Sequence, residues 1–133
     1  MMGARTGLVG GRRSGARRGA AERRGRLSEL AAAALLLLKG YRILARRHRS
    51  RLGEIDLIAV RGRRLAFVEV KQRPTFGEAE AALTPSQAAR IADAAEQWVW
   101  RHPAYRDHEI GLDAVLIAPL SLPRHAVNAL QHC

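Results

Sequence analysis

Glu54, Asp56, Glu69 and Lys71 are the residues whose types and spacing suit chemistry. They fall in two runs rich in Ile, Val, Leu and Phe, Glu54–Arg61 (EIDLIAVR) and Arg64–Arg73 (RLAFVEVKQR), which read as adjacent strands. Between them Gly62-Arg63 makes a two-residue loop with glycine first, the pattern of a type II′ hairpin. Pairing Arg61 with Arg64 carries Asp56 opposite Glu69 and Glu54 opposite Lys71, with facing Cβ atoms about 5 Å apart. Opposed carboxylates repel unless one is protonated or a cation lies between them. Hard divalent cations such as Mg²⁺ take one or two carboxylates together with waters and substrate phosphates. A neighbouring lysine can orient the water or offset charge developing on phosphate. This outlines a site for phosphodiester hydrolysis. On spacing alone the alternative is a solvent-facing strand surface, with Glu54 and Lys71 as an ordinary cross-strand ion pair.

A helix is expected over residues 28–39, with Ser28 as N-cap, Glu29 at the positive end of the dipole and Lys39-Gly40 as the stop. Nearly every position from Leu30 to Leu38 is apolar, so burial on most sides is expected. Tyr41–Arg49 reads as an arginine-rich strand, and Pro74–Leu83 as a loop. Thr84-Pro85-Ser86-Gln87 opens a second helix, with Thr at the N-cap, Pro at the first helical position and Gln87 as the capping-box partner. Its apolar face runs Ala88, Ile91, Ala95, Trp98, Val99. Leu112–Ala118 (LDAVLIA) is a short strand, apolar on both faces as a central strand is, and Pro123–Leu130 is expected to be a last short helix. The order α-β-β-β-α-β-α predicts an α/β domain with a mixed sheet flanked by helices.

The 133 residues fit one compact domain, and 23 basic against 12 acidic residues give a net charge of +11. Only Lys39 and Lys71 are lysines. Such an arginine surplus points to a polyanionic partner, nucleic acid before anionic membrane. Arg46, Arg47, Arg49 and Arg51 are the candidate phosphate contacts. Residues 1–26 carry eight arginines and one acid, Glu22, and read as a flexible basic arm ahead of a domain over 27–133. The lone Cys133 excludes an internal disulfide framework and a multi-cysteine zinc site. No apolar run reaches the roughly 18–20 residues of a membrane-spanning helix. Lys39-Gly40-Tyr41 stands where an export signal would place a small-residue cleavage site, so a cytoplasmic location is expected. His48, His102, His108, His125 and His132 lack metal-ligand spacing and read as surface residues. Trp98 reads as core, Trp100 as a ring that could stack on a base, and Asp113 as the partner of an arginine or a support of the fold.

The stretches KGYRILARRHRSRLGEIDLI (39–58) and LAFVEVKQR (65–73), continued by Ala82-Leu83-Thr84-Pro85 and Leu112-Asp113-Ala114-Val115, closely resemble the YraN-like family of bacterial proteins. That family is similar to the PD-(D/E)xK, or restriction-endonuclease-like, superfamily, which includes archaeal Holliday-junction resolvases. The resemblance implies a restriction-endonuclease-like α-β-β-β-α-β core. It implies Asp56 and Glu69 as ligands of Mg²⁺ or Mn²⁺, Lys71 as the catalytic lysine, and Glu29 as an acidic helix residue pointing into the site. The activity it implies is metal-dependent endonucleolytic cleavage of DNA, branched or damaged DNA included. The alternative is a nucleic-acid-binding module of the same fold with little cleavage. Three positions depart from the family pattern: Ser28 replaces a glycine, Gln87 a lysine and Gly111 an arginine. For Gln87 a capping-box role is preferred to a reach toward the active-site face.

Overall fold

The computed structural model describes residues 25–133. Helix α1, described over 25–38, leads into three antiparallel strands, β1 (Arg42–Ser50), β2 (Gly53–Arg61) and β3 (Arg64–Gln72). A short helix, α2 (Phe76–Ala81), and a long one, α3 (Pro85–Arg101), cross over to β4 (Glu109–Ile117), which lies parallel to β3. Strand β5 (Arg124–Ala126) pairs antiparallel with β4, so the sheet order is β1-β2-β3-β4-β5. The expected mixed sheet and α-β-β-β-α-β succession are therefore realised. The segment read as a basic arm lies outside the described residues, apart from Gly25 and Arg26, which are helical.

The sheet has two covered faces because its central strands alternate apolar residues in both directions. Leu57, Ala59, Ala66, Val68 and Val115 pack against Ala32, Ala33 and Leu36 of α1. Ile58, Val60, Leu65 and Phe67 pack against Ala88, Ile91, Ala95 and Trp98 of α3, with Phe67 edge-on to Trp98 at 5.8 Å. Helix α3 starts as its sequence dictates, with Thr84 Oγ1 accepting from the Gln87 amide at 3.2 Å and Pro85 in the first turn. The β2–β3 turn also follows the sequence: Gly62 has φ +57°, and Arg63 keeps a negative φ.

Several expectations are corrected. Helix α1 already includes residues 25–27, so Ser28 is an interior residue whose hydroxyl donates to Gln72 Oε1 at 2.5 Å rather than an N-cap. Only one side of α1 is buried; Leu37 and Leu38 are 57% and 87% exposed, since the sheet can cover only one stripe of a helix. The segment read as a loop holds α2, capped by Thr75 and packing Ala79 on Ala114 and Leu116. Residues 123–130 form β5 and a 3-10 turn (Ala129–His132) instead of a helix, because Asn128 turns left-handed at φ 57°.

That left-handed turn serves a buried ion pair. Asp113, fully buried, accepts two 2.7 Å bonds from the Arg64 guanidinium, one from His125 Nε2 at 2.8 Å and one from the Asn128 amide at 2.8 Å. Burial alone would raise its carboxyl; the Arg64, His125 and Asn128 donors hold it well below the usual carboxylate range. The expected arginine partner is thus Arg64, steadied in turn by Tyr41 Oη at 3.1 Å. Gly111 makes this possible, because a Cβ there would collide with the Arg64 guanidinium. An arginine at 111 is absent, but the cation of β3 occupies its space. His125 is correspondingly no surface residue: its side chain is 2% exposed. His102, by contrast, is exposed as expected, although its ring stacks on Trp98 at 3.9 Å between ring centroids.

Candidate active site

The β2–β3 ladder follows the expected register from Arg61–Arg64 down to Leu57–Val68 and stops there. Beyond it the Asp56 side chain replaces the backbone partner, Oδ2 accepting from the Val70 amide at 2.8 Å. The two strands part around Asp56, which lines clefts on both sides of the sheet. One, of about 450 Å³, is walled by Ser28, Glu29, Arg47, Arg49, Gln72 and Arg73. The other, of about 480 Å³, is walled by Arg51, Glu69, Gln87 and Arg90. Glu54 touches both clefts, but its ionic partner is Arg49 at 3.8 Å, and no Glu54–Lys71 pair forms because the strands have separated.

Glu69 and Lys71 lie two apart on β3 and share the α3 side of the sheet. Lys71 Nζ stands 3.4 Å from Glu69 Oε1, and Gln87 Nε2 donates to the same oxygen at 3.1 Å. The Gln87 side chain thus reaches the site instead of closing a capping box; Thr84 supplies the cap alone. Its amide answers a buried carboxylate short of donors. Glu29 projects from α1 toward Asp56 and accepts from Arg47 Nε at 3.0 Å. Arg47 adopts φ 52° inside β1, a left-handed conformation that costs an arginine about 1 kcal/mol. Of the four predicted phosphate contacts, Arg47, Arg49 and Arg51 line the clefts, while Arg46 lies outside them.

The electrostatics are those of crowded acids. Burial, then the charge of Asp56, pushes Glu69 up to about 7, against the opposing pull of Lys71. Burial also raises Asp56; the Val70 amide opposes it, and the charges of Glu29 and Glu54 add to it. Asp56 Oδ1 and Glu69 Oε2 receive no N–H donor among the described residues. Asp56 and Glu69 both line the cleft on the α3 side, and two such carboxylates suit a hard divalent cation that keeps waters and phosphate as its other ligands. No group of three or more His, Cys, Asp or Glu side chains gathers as a metal cage among the described residues. Replacing Gln87 by lysine, Gln87→Lys, is expected to bring Glu69 down from about 7, since an ammonium favours the charged carboxylate where an amide does so weakly. Carboxyl-carbon NMR titration reads this directly; an unmoved Glu69 would mean that residue 87 does not act on it.

Residues 28–117, which span every element from α1 to β4, match the Uncharacterised protein family UPF0102. The chain belongs to this family. A UPF0102 protein of Rhodopseudomonas palustris (strain BisB18) is 57% identical over 106 residues, covering 80% of this chain and 78% of that protein. The UPF0102 protein bll0669 of Bradyrhizobium diazoefficiens is 52% identical over 110 residues, 83% of each chain. One from Nitrobacter winogradskyi is 51% identical over 102 residues, 77% of this chain and 86% of its own. No helix among the described residues is long and apolar enough to cross a membrane.

Among features that sequence reading missed, the Gln87–Glu69 and Arg47–Glu29 contacts matter most to this UPF0102 site. The lysine that the resemblance implies at position 87 was the available signal for the first. Nothing local marks Arg47 among its arginine neighbours.

Proposed function

We propose that this protein is a divalent-metal-dependent endonuclease that hydrolyses phosphodiester bonds in DNA. The observation that carries the reading is the Asp56–Glu69 pair, two mostly buried carboxyls raised by burial and by neighbouring negative charge, beside Lys71 and an arginine-lined cleft. Burying acids together destabilises a fold, so such a pair marks a site with a task. Asp56 and Glu69 would hold Mg²⁺ or Mn²⁺, which would supply charge stabilisation for the phosphate and a more acidic water. Lys71, steadied by Glu69, offers an ammonium to the attacking water or to charge developing on the phosphate. Glu29 holds Arg47 at the cleft wall, and Arg49, Arg51, Arg73 and Arg90 surround the opening, where they would neutralise flanking phosphates.

Incubation with linear, nicked, flapped and four-way DNA tests this reading. Nicking of at least one substrate is expected with Mg²⁺ or Mn²⁺, lost in Lys71→Ala and in the presence of chelator. DNA binding without nicking of any substrate by either ion would replace the nuclease with a binding module of the same fold.

A further inference from the structure

A second constellation lies ten residues along α1 from Glu29, about 15 Å away by helical rise. Lys39 Nζ meets His125 Nδ1 at 2.5 Å, and the opposite ring nitrogen, Nε2, donates to Asp113 at 2.8 Å. A carboxylate on Nε2 keeps the imidazole proton there and turns the Nδ1 lone pair toward the lysine. The Tyr41 ring, edge-on at 5.9 Å, fixes the imidazole plane. Arg61 is anchored at the same residue: its Nη1 donates to the Lys39 main-chain carbonyl at 3.0 Å, and its guanidinium covers Tyr41 at 4.7 Å. An exposed amine is thus backed by a buried base, and that base by a fully buried carboxylate. This is the arrangement by which proteins activate a nucleophile. Asp113 is already satisfied by Arg64, His125 and Asn128, so the ion pair does not require Lys39. Burial and the charge of Arg61 also lower the lysine, easing loss of its proton.

We propose that Lys39 is a carbonyl-reactive amine that forms a Schiff base with the aldehyde of an open-chain sugar phosphate. The amine selects the aldehyde, and the exposed Arg61 guanidinium selects the phosphate. The Lys39 ammonium passes a proton to His125 Nδ1. The free amine attacks the carbonyl carbon, the C–N bond forms as the C=O π bond opens, and one proton moves from nitrogen to oxygen. The imidazolium returns its proton to that hydroxyl, which leaves as water while the C=N bond forms. Ammonium and aldehyde give protonated imine and water, with no change in net charge and no oxidant. The sugar phosphate has two sources, a free metabolite or an abasic position in DNA.

Borohydride trapping of the full chain tests the proposal, with chelator present so that the outcome is independent of the metal-dependent activity. The probes are 2-deoxyribose 5-phosphate, a duplex carrying one abasic site, and uncharged 2-deoxyribose. Lys39 and Lys71 are the chain's two lysines, so peptide mass mapping assigns each adduct to one of them or to the N-terminal amine. The adduct is expected on Lys39, with the phosphorylated sugar about tenfold or more ahead of the uncharged one. Lys39→Arg should abolish it and Lys71→Ala should leave it unchanged. His125→Gln, whose amide can still donate to Asp113, should slow trapping about a hundredfold. Faster trapping of the abasic duplex than of the free sugar phosphate identifies DNA as the source; the reverse order identifies the metabolite. Adducts shared evenly by Lys39, Lys71 and the N-terminus in the wild type would overturn the proposal, as would a folded His125→Gln protein that traps at the wild-type rate.

Discussion

Glu69→Gln is expected to stabilise the metal-free protein at pH 8 by about 1–2 kcal/mol, a rise of several degrees in Tm. In the fold this carboxyl is pushed up to about 7, first by burial and then by Asp56; the unfolded chain titrates it near 4.5. A folded-state value above the unfolded one means the folded state binds the proton more tightly. Stability from this group is therefore intact below about pH 4.5, falls as the pH rises toward 7, and stays low beyond. The whole gap is worth at most about 3 kcal/mol, of which an uncharged amide recovers a part. Adding Mg²⁺ or Mn²⁺ should restore the wild type by mass action, by about 2.7 kcal/mol at a hundredfold excess over Kd. Glu69→Gln and Asp56→Asn should lose both that rise and cleavage. Thermal melts with and without ion, at pH 5 and pH 8, decide the matter. A wild-type melt indifferent to both ions at pH 8 would remove the metal from the site.

Asp113→Ala should have the opposite sign and the larger size, a loss of about 3–5 kcal/mol, because it strands the part-buried Arg64 guanidinium without its counter-charge. It also leaves His125 Nε2 and the Asn128 amide without their shared acceptor. Asp113→Asn should cost less, since one oxygen still accepts. Urea titrations with an unchanged m-value would read the losses as stability alone. A deficit under about 1 kcal/mol for alanine would mean that water replaces the carboxylate readily.

Much of this architecture was legible in the residues. The II′ turn at Gly62, the Thr84-Pro85 start of α3 and the apolar strands carry local signals that tertiary packing agrees with. The carboxylates were legible as residue types, and Lys71 beside Glu69 as a two-residue spacing on one strand face. Their exact partners were not. The register that aligned Asp56 with Glu69 assumed an unbroken ladder, whereas the ladder ends at Leu57 and Val68. Gln87 carries a capping-box pattern that is chemically satisfied by its backbone alone, leaving its amide free to answer a group in another layer. The apolar run of α1 gave no sign of which stripe the sheet would cover, because its composition is nearly uniform around the helix. His125 looked like a surface residue because its partners lie 12 and 86 positions away.

The place where β2 and β3 part also bears on how such a chain can change over generations. The ladder and the two packed layers are complete without Asp56, whose carboxylate stands in for one missing backbone bond to Val70. Substitution of Asp56 itself spares the apolar layers, although its neighbours Ile55 and Leu57 belong to them. Descendants can therefore trade one chemistry for another, or for none, while inheriting the same scaffold. Kinship in fold and kinship in activity are free to diverge at this one junction.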